Sequence, residues 1–180
     1  MSSPGAVARR LTMVVSLAEY FLERPMRSML DVGAGEGEWG RQLRTLRPRA
    51  RYVGVDPSEY VVSRYGRRRN IRLGTFGELH ALRLRGRFDV IVCSGMLNYV
   101  DDVELARGLR HVHALLRGVA YLEIFTGRDD VEGDTRGWRR RPRSYYQRLL
   151  TRTGFVQCGP HSWLPRDFDG VTTELEVSGY

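Results

Sequence analysis

"MLDVGAGEGEWG", residues 29–40, sets glycines at Gly33, Gly35, Gly37 and Gly40 directly behind the apolar run Met29, Leu30 and Val32. Glycine is selected where a backbone turns sharply or where a ligand must approach without a Cβ in between. A strand that runs into such a turn and then into a helix presents the helix's first N–H groups to whatever the loop holds. The residues on either side narrow what that ligand is.

Upstream, Leu11, Val14, Val15, Ala18, Phe21 and Leu22 recur at helical spacing, which predicts an amphipathic helix over 7–24. Residues 28–32 read as a strand, and 37–46 as a helix stopped near Pro48. "RYVGVD" (51–56) is a second strand, followed by a helix capped by Ser58. "NIRLG" (70–74) is a third strand, and "FDVIVCS" (88–94) a fourth, almost wholly apolar as a buried parallel strand should be. Helix over 103–116 leads to a fifth strand, "GVAYLEIF" (118–125), then a polar loop with Gly127, Gly133 and Gly137. A helix over 142–153 ends at Gly154. "FVQCG" (155–159) and "TTELEVS" (172–178) close the chain as two strands, with a loop of about a dozen residues between them. Alternating strands and helices predict one α/β domain with a seven-stranded, mostly parallel sheet and helices on both faces. Residues 1–27 stand apart as an N-terminal helix able to act as a lid, and 28–180 form the domain proper.

A chain of 180 residues with 42% hydrophobic content suits one well-buried domain. No run reaches the roughly 18 apolar residues of a membrane span, and the N-terminus lacks a signal peptide's unbroken apolar core. Cys93 and Cys158 make neither a disulfide framework nor a metal cluster, so a reduced, cytoplasmic setting without metal is expected. All 29 basic residues are arginine. Lysine Schiff bases, Walker-type phosphate lysines and kinase lysines are thereby excluded. The net charge of +8 fits either a nucleic-acid partner or solvated surface arginines, and the scatter of the arginines favours the second.

In open α/β sheets, ligands sit beyond the carboxyl ends of the strands where strand order reverses. Asp56, 21 residues beyond Gly35, ends the second strand, where a carboxylate can accept both ribose hydroxyls of an adenosine. The dinucleotide pattern GxGxxG fits poorly. Gly35, Gly37 and Gly40 start too far beyond the strand, while a start at Gly33 puts Glu38 where a small residue is needed. Asp31, Glu36 and Glu38 also ring the loop with carboxylates, which disfavours a pyrophosphate and suits a cationic or zwitterionic ligand.

"LDVGAGEG", then "VGVDPS", then "FDVIVCSGMLNYVDD" resemble, in combination, the class I S-adenosylmethionine-dependent methyltransferases, over about residues 28–178. The resemblance implies a Rossmann-like fold whose last two strands form a hairpin adding one antiparallel strand. It also implies S-adenosylmethionine as cofactor and S-adenosylhomocysteine as product. Asp31, Gly33, Ala34, Gly35 and Gly37 would hold its methionine end, and Asp56 with Pro57 its ribose. Thr75 and Phe76 would border the adenine, with threonine standing where many relatives carry an acid. Ser94, Gly95 and Met96 would lie under the methionine.

Methyl transfer from a sulfonium needs mainly in-line positioning, and a general base only for a hydroxyl acceptor. Glu123 and His161 stand near the expected mouth, but neither is assigned as a base; His111 and His113 fall on a predicted outer helix and should be solvated. "CSGMLNY" is not the [DN]PP[YF] of nucleobase amino methyltransferases, and Cys93 lacks the proline expected before a cytosine-attacking thiol. The paired-glutamate loop of protein arginine methyltransferases and the acidic pair of metal-dependent catechol enzymes are also missing. A small-molecule acceptor is the leading expectation, in a pocket bounded by Tyr20, Tyr99, Tyr145, Tyr146 and Trp163. RNA or another polyanion is the alternative, prompted by "GWRRRPR" (137–143), which otherwise reads as a mobile lid with its arginines facing water. A non-catalytic cofactor-binding module or a nicotinamide dehydrogenase is the reading from another class.

Overall fold

A computed structural model describes residues 3–126, 129 and 136–168. Its elements are α1 (Pro4–Leu22), β1 (Ser28–Val32), α2 (Glu38–Leu46), β2 (Arg51–Asp56), α3 (Glu59–Arg69), β3 (Ile71–Leu73), β4 (Phe88–Cys93), α4 (Asp102–Leu115), β5 (Leu116–Leu122), α5 (Arg143–Thr153), β6 (Phe155–Gly159) and β7 (Ser162–Pro165). A 3₁₀ segment over Phe76–Leu82 follows β3, and a second, Arg166–Phe168, follows β7. The sheet order is β3-β2-β1-β4-β5-β7-β6. The first five strands are parallel, and β7 runs antiparallel to both β5 and β6.

One expectation fails here. Residues 162–165, read from sequence as part of a loop, are the strand β7 wedged between β5 and β6. Four residues between Pro160 and Pro165 carry too little periodicity to announce a strand, and only pairing on both sides makes them one. "TTELEVS" lies outside the described residues.

Two apolar layers clasp the sheet. Val7, Leu11, Val14, Val15 and Ala18 of α1 pack with Trp39 and Leu43 of α2 on one face, against Met29, Val90, Val92, Val119 and Tyr121. On the other face Leu105, Leu109 and Val112 of α4 and Tyr146 and Leu150 of α5 cover Leu30, Ile91, Cys93, Ala120 and Leu122. Each fully buried aliphatic side chain contributes about 1.5–3 kcal/mol. Ser3 starts α1 by accepting from the Ala6 N–H, with Pro4 as the first helical residue. α1 runs antiparallel to β5: Arg10 meets Glu123 at the carboxyl end of the strand, and Leu22 crowds Gly118 near its start. At the amino edge, Asp89 accepts from both terminal nitrogens of Arg24 (2.8 and 3.1 Å) and from the Arg27 N–H (2.7 Å), tying the α1–β1 connection to β4.

Candidate functional site

Register aligns the strand ends. Val32 pairs with Val55 on one side and Cys93 on the other, and Cys93 pairs with Leu122. The residues that follow, Asp56, Gly33, Ser94 and Glu123, therefore leave the sheet side by side along one edge. Chain order reverses between β1 and β4, which opens a crevice at that edge.

The glycine loop starts tied to β2, because the Gly33 and Ala34 N–H groups both donate to the Val55 carbonyl (2.8 and 3.0 Å). Gly33 has φ +75°, and a Cβ there would lie 2.7 Å from Met96 Cγ, so both backbone shape and the β4 loop demand glycine. Gly35, at φ +50°, faces open space. Gly37 precedes α2 with no side-chain cap, which leaves the first N–H groups of the helix to a ligand. Arg69 reaches from α3 to donate to the Glu36 carbonyl and steadies the loop from outside.

Two buried carboxylates flank this loop. Asp56 accepts from the Gly35 N–H (2.8 Å) on one oxygen and from the Ser58 N–H (2.9 Å) on the other. A carboxylate has about four lone-pair sites, so each oxygen keeps one for an incoming hydroxyl. Asp31 is 1% exposed and accepts from the Tyr52 hydroxyl at 2.8 Å. Burial pushes its carboxyl up to about 7, the Tyr52 hydrogen bond pulls it back, and the Asp56 charge adds to the rise. The Tyr52 ring lies under α2 at Gly40, where a Cβ would overlap it. Gly40 thus serves packing rather than a ligand.

At the β4 and β5 ends, Glu123 accepts from Ser94 Oγ (2.6 Å) and pairs with Arg10 Nη1 (2.9 Å). Burial, and then the Glu123 charge beside it, pushes the Tyr121 hydroxyl up to about 12. Glu123 is a pinned hub joining α1, β4 and β5, and its oxygens are already engaged. Asn98, 1% exposed, holds the next layer: its Nδ2 donates to the Phe125 carbonyl (2.8 Å), its Oδ1 accepts from the Phe125 N–H (3.2 Å), and its carbonyl accepts from the Arg139 N–H (2.8 Å). Arg141 is buried and donates to Asp102 (2.8 Å), the Val100 carbonyl (2.6 Å) and the Tyr146 hydroxyl (3.3 Å). Residues 139–141 are thereby stapled to the β4–α4 connection.

A family model described as a methyltransferase domain matches residues 7–158, a span that includes the glycine loop and strands β1 to β5. The chain belongs to the class I S-adenosylmethionine-dependent methyltransferases. Its similarities within that family are distant. It is 24% identical to the malonyl-[acyl-carrier protein] O-methyltransferase of Bacillus cereus over 111 residues, 61% of this chain and only 41% of that protein's length. The sugar N-methyltransferase KedS8 of a Streptoalloteichus species superposes with a TM-score of 0.62 at 19% identity, covering 86% of both chains. CalS10, an amino pentose methyltransferase of Micromonospora echinaspora solved with S-adenosylmethionine, gives 0.63 at 16% identity over 84% of each chain.

Within this methyltransferase the edge gathers Asp31, Gly33, Ala34, Gly35, Gly37, Asp56, Pro57, Ser94, Gly95 and Met96. Thr75 opens the 3₁₀ segment and donates from Oγ1 to Glu78 (3.0 Å), which brings a carboxylate beside β3 that the sequence reading missed. Phe76 is 2% exposed and packs on α4, where a Cβ at Gly108 would overlap its ring, so it belongs to the core and presents little surface to any ligand. Tyr20 does not join the site. It is 67% exposed on the last turn of α1, at the amino edge of the sheet, because α1 runs antiparallel to β5. Tyr99 and Phe125 both contact the Trp138 ring, with centroids 5.1 and 5.7 Å away, and His161 meets Tyr121 edge-on and lies tilted against Phe125. Tyr145 is half-buried and Tyr146 buried on α5, and Trp163 is buried on β7. His111 and His113 are half-buried rather than solvated: His111 bonds His80 (3.1 Å), and His113 packs edge-on against Phe155. Tyr52, Asn98 and Arg10 carried no local signal, since each matters through a partner distant in sequence.

Proposed function

We propose that this methyltransferase transfers a methyl group from S-adenosylmethionine to a small-molecule acceptor, in a cytoplasmic setting. The observation that carries the reading is the in-register row of Asp56, Gly33 and Ser94 at the edge where strand order reverses. In it the Asp56 carboxylate takes the ribose hydroxyls, and Pro57 turns the chain away beside it. The loop Gly33–Gly37 and Asp31 take the methionine end, whose ammonium suits a buried carboxylate. Ser94, Gly95 and Met96 underlie the methionine chain, with Gly95 facing open space at φ +69°. Thr75 and the Glu78 carboxylate it holds border the adenine.

An acceptor lone pair forms the bond to the methyl carbon as the carbon–sulfur bond breaks, and the sulfonium leaves as the neutral thioether of S-adenosylhomocysteine. Alignment of the two reactants is what the protein supplies. Glu123 orients Ser94 and is not assigned as a base. The B. cereus relative and the sugar N-methyltransferase neighbour, both named for small or carrier-bound acceptors, support the acceptor class. Calorimetric titration of the purified chain tests the reading: S-adenosylhomocysteine should bind and NAD should not. Binding of NAD with no heat from S-adenosylhomocysteine would overturn it in favour of a dehydrogenase.

A further inference from the structure

Beyond the carboxyl end of β5, a cleft of about 260 Å³ opens between α5 and the β6–β7 hairpin. Ile124 continues β5 into its wall, one residue past the Glu123 that holds Ser94, so the cleft begins where the cofactor row ends. Arg143 and Gln147, one helical turn apart, face it from α5. His161 and Trp163 face it from the hairpin, over an apolar base that includes Leu122.

The charged groups of this cleft are unbalanced in one direction. No carboxylate lines it among the described residues. Arg143 is exposed and has no ion-pair partner among the described residues. The Trp163 indole N–H is buried and has no hydrogen-bond partner, an arrangement that folded proteins seldom leave unexplained. His161 Nδ1 accepts from the Ile124 N–H (3.4 Å), so in the neutral ring the proton sits on Nε2, which becomes another donor. Of the acids beside it, Glu123 is held by Ser94 and Arg10, and Asp129 accepts from the Thr126 N–H (2.6 Å) and hydroxyl (2.9 Å). Exposed Arg139 and Arg140 add positive field outside.

We propose that this cleft is the acceptor pocket, and that it takes an acceptor bearing a carboxylate or similar anionic oxygen group against Arg143, with an apolar body over Ile124 and Trp163. The assignment rests on the methyl-transfer reading above. A protonated amine meets the Arg143 cation here and, among the described lining residues, no carboxylate, so it is disfavoured on charge. The Trp163 ring forms part of the cleft wall, so its indole N–H resonance reports an occupant.

The test uses the protein saturated with S-adenosylhomocysteine and follows the indole N–H resonances of its three tryptophans by NMR. Loss of one peak in Trp163→Phe assigns Trp163. Titration with 3-phenylpropionate should move that peak saturably, and 3-phenylpropylamine should not. Arg143→Gln should weaken the carboxylate by about tenfold or more, equivalent to about 1.4 kcal/mol, with S-adenosylhomocysteine affinity unchanged. A Trp163 peak that stays still with the carboxylate, moves equally with the amine, or responds undiminished in Arg143→Gln would overturn the proposal. Failure of S-adenosylhomocysteine itself to bind would instead sink the methyltransferase reading.

Discussion

Asp31 and Asp56 stand within one loop of each other, yet their surroundings give them different work. Asp56 keeps acceptor capacity on each oxygen, and its replacement by alanine should weaken S-adenosylhomocysteine selectively, since hydrogen bonds to a charged group contribute roughly 1.5–3 kcal/mol each. Calorimetry showing less than about a tenfold loss would remove Asp56 from the ribose role. Asp31 behaves as a proton-linked group. Its folded value of about 7 lies above that of an unfolded aspartate. The stability this confers is complete below about pH 4 and is lost as pH rises through about 7. The ligand-free protein should therefore melt at lower temperature as pH rises through neutrality, and Asp31→Asn should flatten that slope. S-adenosylhomocysteine should bind more tightly over the same interval, because its ammonium meets an ionised carboxylate. Tyr52→Phe keeps the ring under Gly40 but deletes the hydroxyl, so the midpoint of the affinity-against-pH curve should move upward. An equal loss of affinity at every pH would make Tyr52 merely structural.

Among the elements, the segment before α5 departs most from expectation. A mobile lid with four water-facing arginines was the sequence reading of "GWRRRPR", but Arg141 is 6% exposed and bonded to Asp102, Val100 and Tyr146. Arg141→Gln strands the Val100 carbonyl and should cost about 1.5–3 kcal/mol in urea unfolding. Exposed Arg139, Arg140 and Arg143, changed singly to glutamine, should each move stability by no more than about 0.5 kcal/mol. A loss from any one of them equal to that from Arg141→Gln would contradict the staple. The N-terminal helix is likewise an integral layer, with Val14 and Ala18 at 0% exposure, and its Arg10 reaches the Glu123 hub.

For the whole molecule, ligand linkage gives the most direct readout. S-adenosylhomocysteine at 100 times its dissociation constant should add about 2.7 kcal/mol to unfolding free energy, seen as a raised melting temperature. The charge of +8 is a separate matter. With Arg141 committed inside the fold and the remaining arginines spread over several elements, RNA binding should stay in the non-specific range of roughly 10⁻⁴–10⁻⁶ M at physiological salt. Filter binding that finds nanomolar, structure-selective affinity would promote the polyanion acceptor. Among the described residues, no helix is long and apolar enough to cross a membrane.

What the sequence determined by itself is local. The boundaries of β1 and β2, the Ser58 cap and the Gly154 stop arise from periodicity and capping chemistry that act within a few residues, and the structure reproduces them. The glycine loop and Asp56 were legible for the same reason, since strand, turn and acid follow one another along the chain. Only the tertiary structure decided the rest. β7 exists because β5 and β6 pair with it from both sides. Tyr20 points away because helix direction, unlike helix existence, is set by packing against β5. Arg141 is buried while Arg139 and Arg140 are exposed, although nothing in "RRR" distinguishes them. Tyr52 reaches Asp31, and Arg10 reaches Glu123, across spans that no local pattern encodes. Periodicity reports which way a side chain points from its own element; what it meets there depends on how distant segments pair.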